Sequence, residues 1–412
     1  MLSNLICQRT KNLYTGQGDE YALKICFVAH NSKDYKNGAA LSLINVANEL
    51  ANRGIKVLVI LPNKKVIYPL RHKNIKVIHS PIISMRTRLE DRSLKNKLKE
   101  IVKIIINIRS TKKLKRILKE ENPDIIHING LDSEVAAKAA SQLDIPYLWH
   151  IRQLLDEDFS MRLHNEKKIY SYLKKANGVI GISKAVKEKF EPIVQKEVKL
   201  IYNGIPLDEY VIKNRPSLYS NETINILIAG RIVEGKGQLQ AVKAIKYLFD
   251  NDIKNIKLVI VGKVDSENYF NKLKSYIERF SLEEHITFYE HTDDLKELRR
   301  KCDIGLICSK KEAFGRVTIE TMVSKMLVIG ADTGGTKEIV TDHYNGLLYE
   351  EGNYIDLATK IQYAMENKRE MESIIENAYF DALNKYSISN VVDQIIVLYE
   401  HCLRDVTVNL ED

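Results

Sequence analysis

A chain of 412 residues, 44% hydrophobic and 28% charged, is long enough for two α/β domains and has a soluble globular balance. Its net charge of +9 is concentrated in residues 86–119, which hold 13 Lys/Arg against 3 Asp/Glu; the rest is near neutral, which argues against a nucleic-acid-binding protein. No apolar run approaches the roughly 18 residues that span a bilayer, and the 5 scattered cysteines carry neither metal spacing nor a disulfide framework.

Residues 1–22 read as a leader without a secretory pattern, because Arg9 and Lys11 follow the short apolar stretch instead of preceding it. The run 23–29 predicts a buried strand, and the loop 31–39, which contains Gly38, leads into a helix. Leu41, Leu43, Ile44, Val46, Ala47 and Leu50 give that helix its apolar face, and Arg53-Gly54 closes it before a strand at 57–61. This is a βαβ unit. The basic stretch 86–119 spaces Leu89, Leu94, Leu98, Ile101, Ile105, Ile108, Leu114, Ile117 and Leu118 mostly three or four apart, so a helical reading gives it an apolar and a basic face. Two outcomes stay open for it: ordinary domain helices, or a face that lies on anionic lipid. Further strands are expected at 76–79, 125–128, 147–151 and 178–182.

The polar stretch 206–222, with Pro206 and Pro216, reads as an interdomain linker. A second series then opens with a strand at 225–229, a helix at 237–249 and strands at 257–261, 286–289, 304–307 and 327–330. Strands alternating with helices predict an α/β fold with parallel sheets. The expected organisation is a leader at 1–22, a Rossmann-like domain at 23–205, a second at 206–385, and a C-terminal helix at 386–412 that packs back on the first domain.

Two segments carry the chemistry. Ser309–Glu320 follows a strand and opens a helix, with Glu312 in the loop and Glu320 in the helix, beside Phe314, Gly315 and Arg316. Carboxylates accept strong charge-assisted hydrogen bonds, as from sugar hydroxyls, and Gly315 lets the backbone approach a ligand at a helix start. By composition alone the pair reads as a capped helix with solvated glutamates. Ala229–Gly237 lies at a strand-to-helix turn, where Gly230, Gly235 and Gly237 free the backbone and Arg231 and Lys236 offer cations for a diphosphate. It matches neither a Walker A loop nor a G-x-G-x-x-G fingerprint. His150 ends a strand, where a lone histidine is most often a satisfied core residue.

Together these segments resemble the retaining glycosyltransferase family 4 (glycosyl transferases group 1), of the GT-B fold. The resemblance runs from about residue 23 to 352 and includes Asn37-Gly38-Ala39-Ala40, Pro123-Asp124-Ile125-Ile126-His127, Trp149-His150-Ile151-Arg152, Ile182-Ser183, Tyr202-Asn203-Gly204-Ile205, Thr333-Gly334-Gly335-Thr336-Lys337-Glu338 and Asn345-Gly346-Leu347. It implies two Rossmann-like domains facing across a cleft, with a nucleotide-sugar donor, UDP- or GDP-linked, as co-substrate and no other cofactor. Arg231 and Lys236 would neutralise the donor diphosphate, Glu320 hold the ribose hydroxyls, and Glu312 bind the donor sugar. Amides near Phe314, Gly315 and Arg316 would line the pocket together with the Gly230 turn. Gly38 would let the first-domain loop approach the diphosphate, and His150 would reach the donor sugar. Arg152 would contact the acceptor or a phosphate; Gln153 stands after it where relatives often carry Glu, so no carboxylate role is expected there.

The implied reaction is retaining and metal-independent, and no metal site is expected. The implied acceptor is a glycan or a lipid-linked saccharide, in bacterial cell-surface polysaccharide assembly. The implied location is cytoplasmic, peripheral at the inner face of the membrane. The alternatives are a nucleotide-sugar epimerase of the same fold, which would convert the donor with no acceptor present, and a non-catalytic nucleotide-sugar-binding subunit.

Overall fold

A computed structural model describes residues 23–29, 35, 38–62, 64–65, 68–88, 94–131, 133–155, 161–220, 222–289, 295–310, 312 and 314–408. The leader 1–22 and Leu89 lie outside the described residues, as do the side chains of Leu94 and Leu98. The contacts divide the chain into unit 1, which runs to Ile205 and takes in Ile388 onward, and unit 2, Pro206–Ser387.

Unit 1 is a parallel sheet of seven strands in the order β3-β2-β1-β5-β6-β8-β9. These are β1 (Lys24–Ala29), β2 (Lys56–Leu61), β3 (Ile75–His79), β5 (Ile125–Asn129), β6 (Tyr147–Ile151), β8 (Gly178–Gly181) and β9 (Lys199–Leu200). The central strands β5, β6 and β8 are buried at every position, which is why they read as mostly apolar runs, interrupted by His127, Asn129 and His150. Helix α1 (Gly38–Asn52) connects β1 to β2 and buries Leu43, Ile44, Val46, Ala47 and Leu50. Chain order reverses between β1 and β5, and this switch point opens at the C-terminal ends of the strands. Helices α3 (Glu134–Ser141), α4 (Glu166–Lys175) and α5 (Lys184–Val194) complete the alternation.

The basic stretch divides. Its first residues form β4 (Arg86–Arg88), which pairs antiparallel with β7 (Met161–Leu163), so a helix from residue 86 is not what forms. The rest is one helix of 28 residues, α2 (Leu94–Glu121). Leu114, Ile117 and Leu118 are core, whereas Ile101, Val102, Ile104, Ile105 and Ile108 are exposed.

Unit 2 is a six-stranded parallel sheet in the order β12-β11-β10-β13-β14-β15. Its strands are β10 (Ile224–Ala229), β11 (Ile256–Val261), β12 (Ile286–Tyr289), β13 (Ile304–Ile307), β14 (Leu327–Ala331) and β15 (Leu347–Tyr349). Between them run α6 (Gln238–Asp250), α7 (Glu267–Arg279), α8 (Leu295–Lys301), α9 (Arg316–Val323) and α10 (Gly334–Ile339), and α11 (Tyr354–Glu366) and α12 (Lys368–Tyr386) follow. The expected linker 206–222 is anchored here instead of hanging free. Leu207, Ile212 and Leu218 are buried, and Arg215 donates to the backbone carbonyls of Arg299, Ser324 and Cys302. The last helix, α13 (Ile388–Val408), belongs to unit 1, where Val391, Val392, Ile395, Tyr399 and Cys402 join the core cluster of β1 and α1. No helix among the described residues is long and apolar enough to cross a membrane.

Candidate functional site

In unit 2 the switch point lies between β10 and β13. Past β10 the chain turns through Gly230 (φ +151°) and a single 3-10 turn at Glu234–Lys236, then reaches Gly237 in the left-handed region (φ +72°) before α6. A Cβ on Gly237 would lie 2.1 Å from the carbonyl oxygen of Cys308, so only glycine lets this turn close against the loop after β13. That closure brings Lys236 onto the second segment. Its Nζ donates to Glu312 Oε2 at 2.6 Å, and both side chains, with Ser309, Gly315 and Val317, line a pocket. Lys236 and Glu312 are each about a quarter exposed, so their pairing is open to exchange with a ligand. Arg231 is 64% exposed and pairs with Asp265 at 2.7 Å.

The loop bearing Glu312 is set by backbone packing. The Phe314 ring turns into the core, 6.0 Å edge-on from Tyr386, which leaves the main chain at the pocket. Gly315 (φ +89°) precedes α9 and supplies no side-chain cap. The turn Thr333-Gly334-Gly335 braces this loop: Gly335 N–H donates to the Glu312 carbonyl, and a Cβ on Gly335 would lie 2.5 Å from Phe314 backbone oxygen. The two glycines therefore serve a close approach of two backbones.

Glu320, on α9, is buried and held by two arginines. Arg299 Nη2 donates to Oε2 at 2.5 Å and Arg316 Nε to Oε1 at 2.7 Å, while Arg316 Nη2 donates to the Tyr210 hydroxyl at 2.9 Å. Arg299, 2% exposed, is the partner that sequence reasoning missed. It sits in the run Arg299-Arg300-Lys301, which looks like an ordinary basic helix end. Each carboxylate oxygen keeps acceptor capacity beyond the one bond it makes.

Unit 1 holds the other predicted residues. Gly38 is exposed at the start of α1, with no atom of the described residues within 4 Å of where a Cβ would stand. His150 is buried near the end of β6, and its Nδ1 lies 3.1 Å from His127 Nε2; His127 Nδ1 in turn lies 2.6 Å from the hydroxyl of Tyr399 on α13. Burial first, and the nearby Arg152 charge second, hold both imidazoles well below their ordinary 6.5, so they are neutral. The link from His150 through His127 to Tyr399 was missed by sequence reasoning; His127 and Tyr399 are 272 positions apart and no local pattern joins them.

Arg152 is buried beside them. Its Nε donates to Asn129 Oδ1 at 2.8 Å and its Nη1 to Ser42 Oγ at 2.6 Å and to Asn203 Oδ1. Asn129 in turn donates to the Ala39 carbonyl at 3.3 Å in the first turn of α1. All three acceptors of Arg152 are neutral, and no carboxylate pairs with it among the described residues. Burial pushes the guanidinium down to about 9. The Tyr202–Ile205 motif finds its use here: Asn203 meets Arg152 and Ser42, and Gly204 admits α13, since a Cβ there would lie 2.7 Å from Ile388 Cδ1.

Comparisons with known proteins bear on the family and the fold. Residues 212–380 match the family model of glycosyl transferases group 1, and residues 36–209 match that of glycosyltransferase family 4. An uncharacterised glycosyltransferase of Methanocaldococcus jannaschii is 30% identical over 295 residues, 69% of this chain and 78% of that protein. A Campylobacter jejuni α-1,4-N-acetyl-D-galactosaminyltransferase, named for an undecaprenol diphosphate-linked saccharide, is 24% identical over 293 residues, 69% of this chain and 77% of its own. Among solved structures, Anabaena HepE in complex with UDP aligns with a TM-score of 0.74 at 21% identity, over 90% of this chain and 98% of that one. A Rickettsia africae glycosyltransferase aligns with a TM-score of 0.76 at 21% identity, over 93% and 99%.

Proposed function

Because this chain belongs to the group 1 glycosyl transferases and has their GT-B fold, we propose that it moves a sugar, with retention and without a metal, from a UDP-sugar to an acceptor hydroxyl. The observation that carries the reading is the Lys236–Glu312 pair, a cation and a carboxylate 2.6 Å apart at the C-terminal edge of the unit 2 sheet. When the donor binds, the pair separates. Lys236, with Arg231, turns to the diphosphate, and Glu312 turns to the hydroxyls of the donor sugar. Preorganised cations stabilise the charge that develops on the leaving diphosphate, the role a metal plays elsewhere. The amides at the start of α9 add donors along the same wall, and Glu320, fixed by Arg299 and Arg316, accepts from the ribose hydroxyls.

His150 lies too deep and too neutral to act as a cation, and we assign it a hydrogen bond to the donor sugar. The departing phosphate oxygen takes the acceptor proton as the new glycosidic bond forms on the same face. Gly38 leaves room for a ligand at the start of α1. UDP as nucleotide is supported by its presence in HepE, and a glycan or lipid-linked acceptor by the Campylobacter relative. The test is a donor-hydrolysis and transfer screen over UDP- and GDP-sugars with and without EDTA; loss of activity in EDTA, or activity with no UDP-sugar, sinks the reading.

We also place the enzyme at the cytoplasmic face of a membrane during assembly of a cell-surface polysaccharide. Ile101, Ile104, Ile105 and Ile108 form one exposed face of α2, and Arg109, Lys112, Lys113 and Arg116 are exposed along the next two turns. An apolar strip next to cations fits an anionic lipid surface, with about 1 kcal/mol for each well-placed Lys or Arg. Sedimentation with vesicles of rising phosphatidylglycerol content at low salt should carry the protein down; no binding to strongly anionic vesicles rejects this placement.

A further inference from the structure

The segment that opens unit 2 reaches the carboxylate of Glu320 through one tyrosine. Past the 3-10 turn at Leu207–Glu209, Tyr210 lies along α9. Its carbonyl accepts from Ser324 Oγ at 3.2 Å, at the C-terminal cap of that helix, and its hydroxyl accepts from Arg316 Nη2 at 2.9 Å, in the first turn. Tyr210 thus runs the length of the helix that carries Glu320. Five residues on, Arg215 fastens the same segment to the carbonyls of Arg299, Ser324 and Cys302. The tyrosine is tied at both ends and cannot drift from α9.

Its contact with Arg316 divides a fork. The Nε–H and Nη2–H groups lie on one edge of a guanidinium and together match the two oxygens of a carboxylate. On Arg316 only Nε donates to Glu320, to Oε1 at 2.7 Å, while Nη2 goes to the phenol. Arg299 supplies one bond, to Oε2 at 2.5 Å. A carboxylate offers roughly four acceptor positions, so about two are left open by partners among the described residues. The Tyr210 ring adds a second restraint, since the guanidinium carbons of Arg299 and Arg316 lie 5.4 and 6.0 Å from its centroid, within reach of a cation–π contact. Burial first, and the Glu320 charge second, raise the Tyr210 hydroxyl above its ordinary 10, so it meets both cations as a neutral phenol. Without that hydroxyl, the strong acceptor nearest to Nη2 is the carboxylate that Nε already touches. The fork would then close on Glu320 and consume acceptor capacity.

We propose that Tyr210 is a positioning residue: by drawing off Arg316 Nη2 it keeps Glu320 from closing into a bidentate ion pair, and so holds acceptor positions for a vicinal diol, the ribose of the nucleotide. The inference rests on the assignment of the ribose to Glu320 and adds the group that keeps that carboxylate available.

The test is calorimetry on the full chain with two probes, UDP and 2′,3′-dideoxyuridine 5′-diphosphate, which lacks the diol. The wild-type protein should bind UDP about tenfold tighter than the dideoxy nucleotide, the scale of a hydrogen bond to a charged group. In Tyr210→Phe, which keeps the ring and its packing, that preference should shrink to about threefold or less, with affinity for the dideoxy nucleotide unchanged. Arg316→Lys replaces the planar fork by a point charge. Adding Tyr210→Phe to it should change the preference by less than about twofold, as expected of two residues acting through one contact. A general loosening of α9 would instead weaken both nucleotides alike and would act in either background; that result overturns the positioning role. So does a full wild-type preference in Tyr210→Phe, and in both cases the ribose assignment stands. If the wild-type chain binds the two nucleotides equally, the ribose assignment falls and the role of Tyr210 falls with it.

Discussion

Two sheet edges of the same design carry opposite electrostatics. In unit 2 the cations face carboxylates: Lys236 on Glu312, Arg231 on Asp265, Arg299 and Arg316 on Glu320. In unit 1 Arg152 faces an asparagine, a serine and a second asparagine, with two neutral histidines beside it. Exposed pairs such as Arg231–Asp265 hold little stability and trade partners freely. A buried cation whose acceptors among the described residues are all neutral cannot do that; it is held in place by geometry. Shared architecture thus leaves the chemistry of each edge to a few side chains, and substitution at those positions separates the two.

The largest effect is expected at the buried pair. Arg299→Met strips Glu320 of its buried partner and should destabilise unit 2 by about 3 kcal/mol, read by urea unfolding. Arg152→Met strands no carboxylate and should cost less; an equal or greater loss would break the contrast. Next come the exchangeable cations. Lys236→Ala or Arg231→Ala should slow transfer by at least ~100-fold, the scale of one transition-state charge stabiliser, with melting unchanged. Near-wild-type turnover in both variants would remove the diphosphate role.

A smaller effect divides the two glutamates. Glu320→Gln should weaken UDP binding by about tenfold, whereas Glu312→Gln should leave UDP affinity within about threefold and impair use of the donor sugar. Calorimetry on the folded fraction distinguishes them, and equal losses contradict the division. The smallest effect is a pH slope. His127 and His150 are held below the ordinary 6.5 in the folded chain, so below that pH the unfolded chain binds more protons. Stability is therefore full above pH 6.5 and falls as pH drops, by up to about 1.4 kcal/mol per pH unit for each histidine. Trp149, the single tryptophan and fully buried in unit 1, reports this directly. A flat melting profile in its emission between pH 7 and 5 would mean that the imidazoles are not buried neutral.

Most of the fold was legible because parallel strands buried on both faces leave unbroken apolar runs, as in residues 57–61 and Leu327–Ala331. The Lys236–Glu312 meeting was legible in outline, since glycines marked both turns. What stayed hidden had no local signal. Nothing near Arg299 separates it from Arg300, which is exposed one position later. The β4–β7 pair joins two three-residue strands more than 70 positions apart. The burial within residues 206–222 stayed hidden for a similar reason: Leu207, Ile212 and Leu218 are too widely spaced for any period, yet each is buried.

The return of α13 to unit 1 has a consequence for synthesis. Unit 2 is a single uninterrupted run of chain, whereas unit 1 lacks Val391, Ile395 and Tyr399 until residues beyond 387 have been made. At roughly 5–20 residues per second, a ribosome holds the first-made half open for on the order of ten seconds or more while it builds the second. During that interval Leu148, Ile180 and His127 lack their helical cover. A message that stalls before codon 388 would release a chain whose later half can close and whose earlier half cannot, an apolar strip for chaperones and proteases to find.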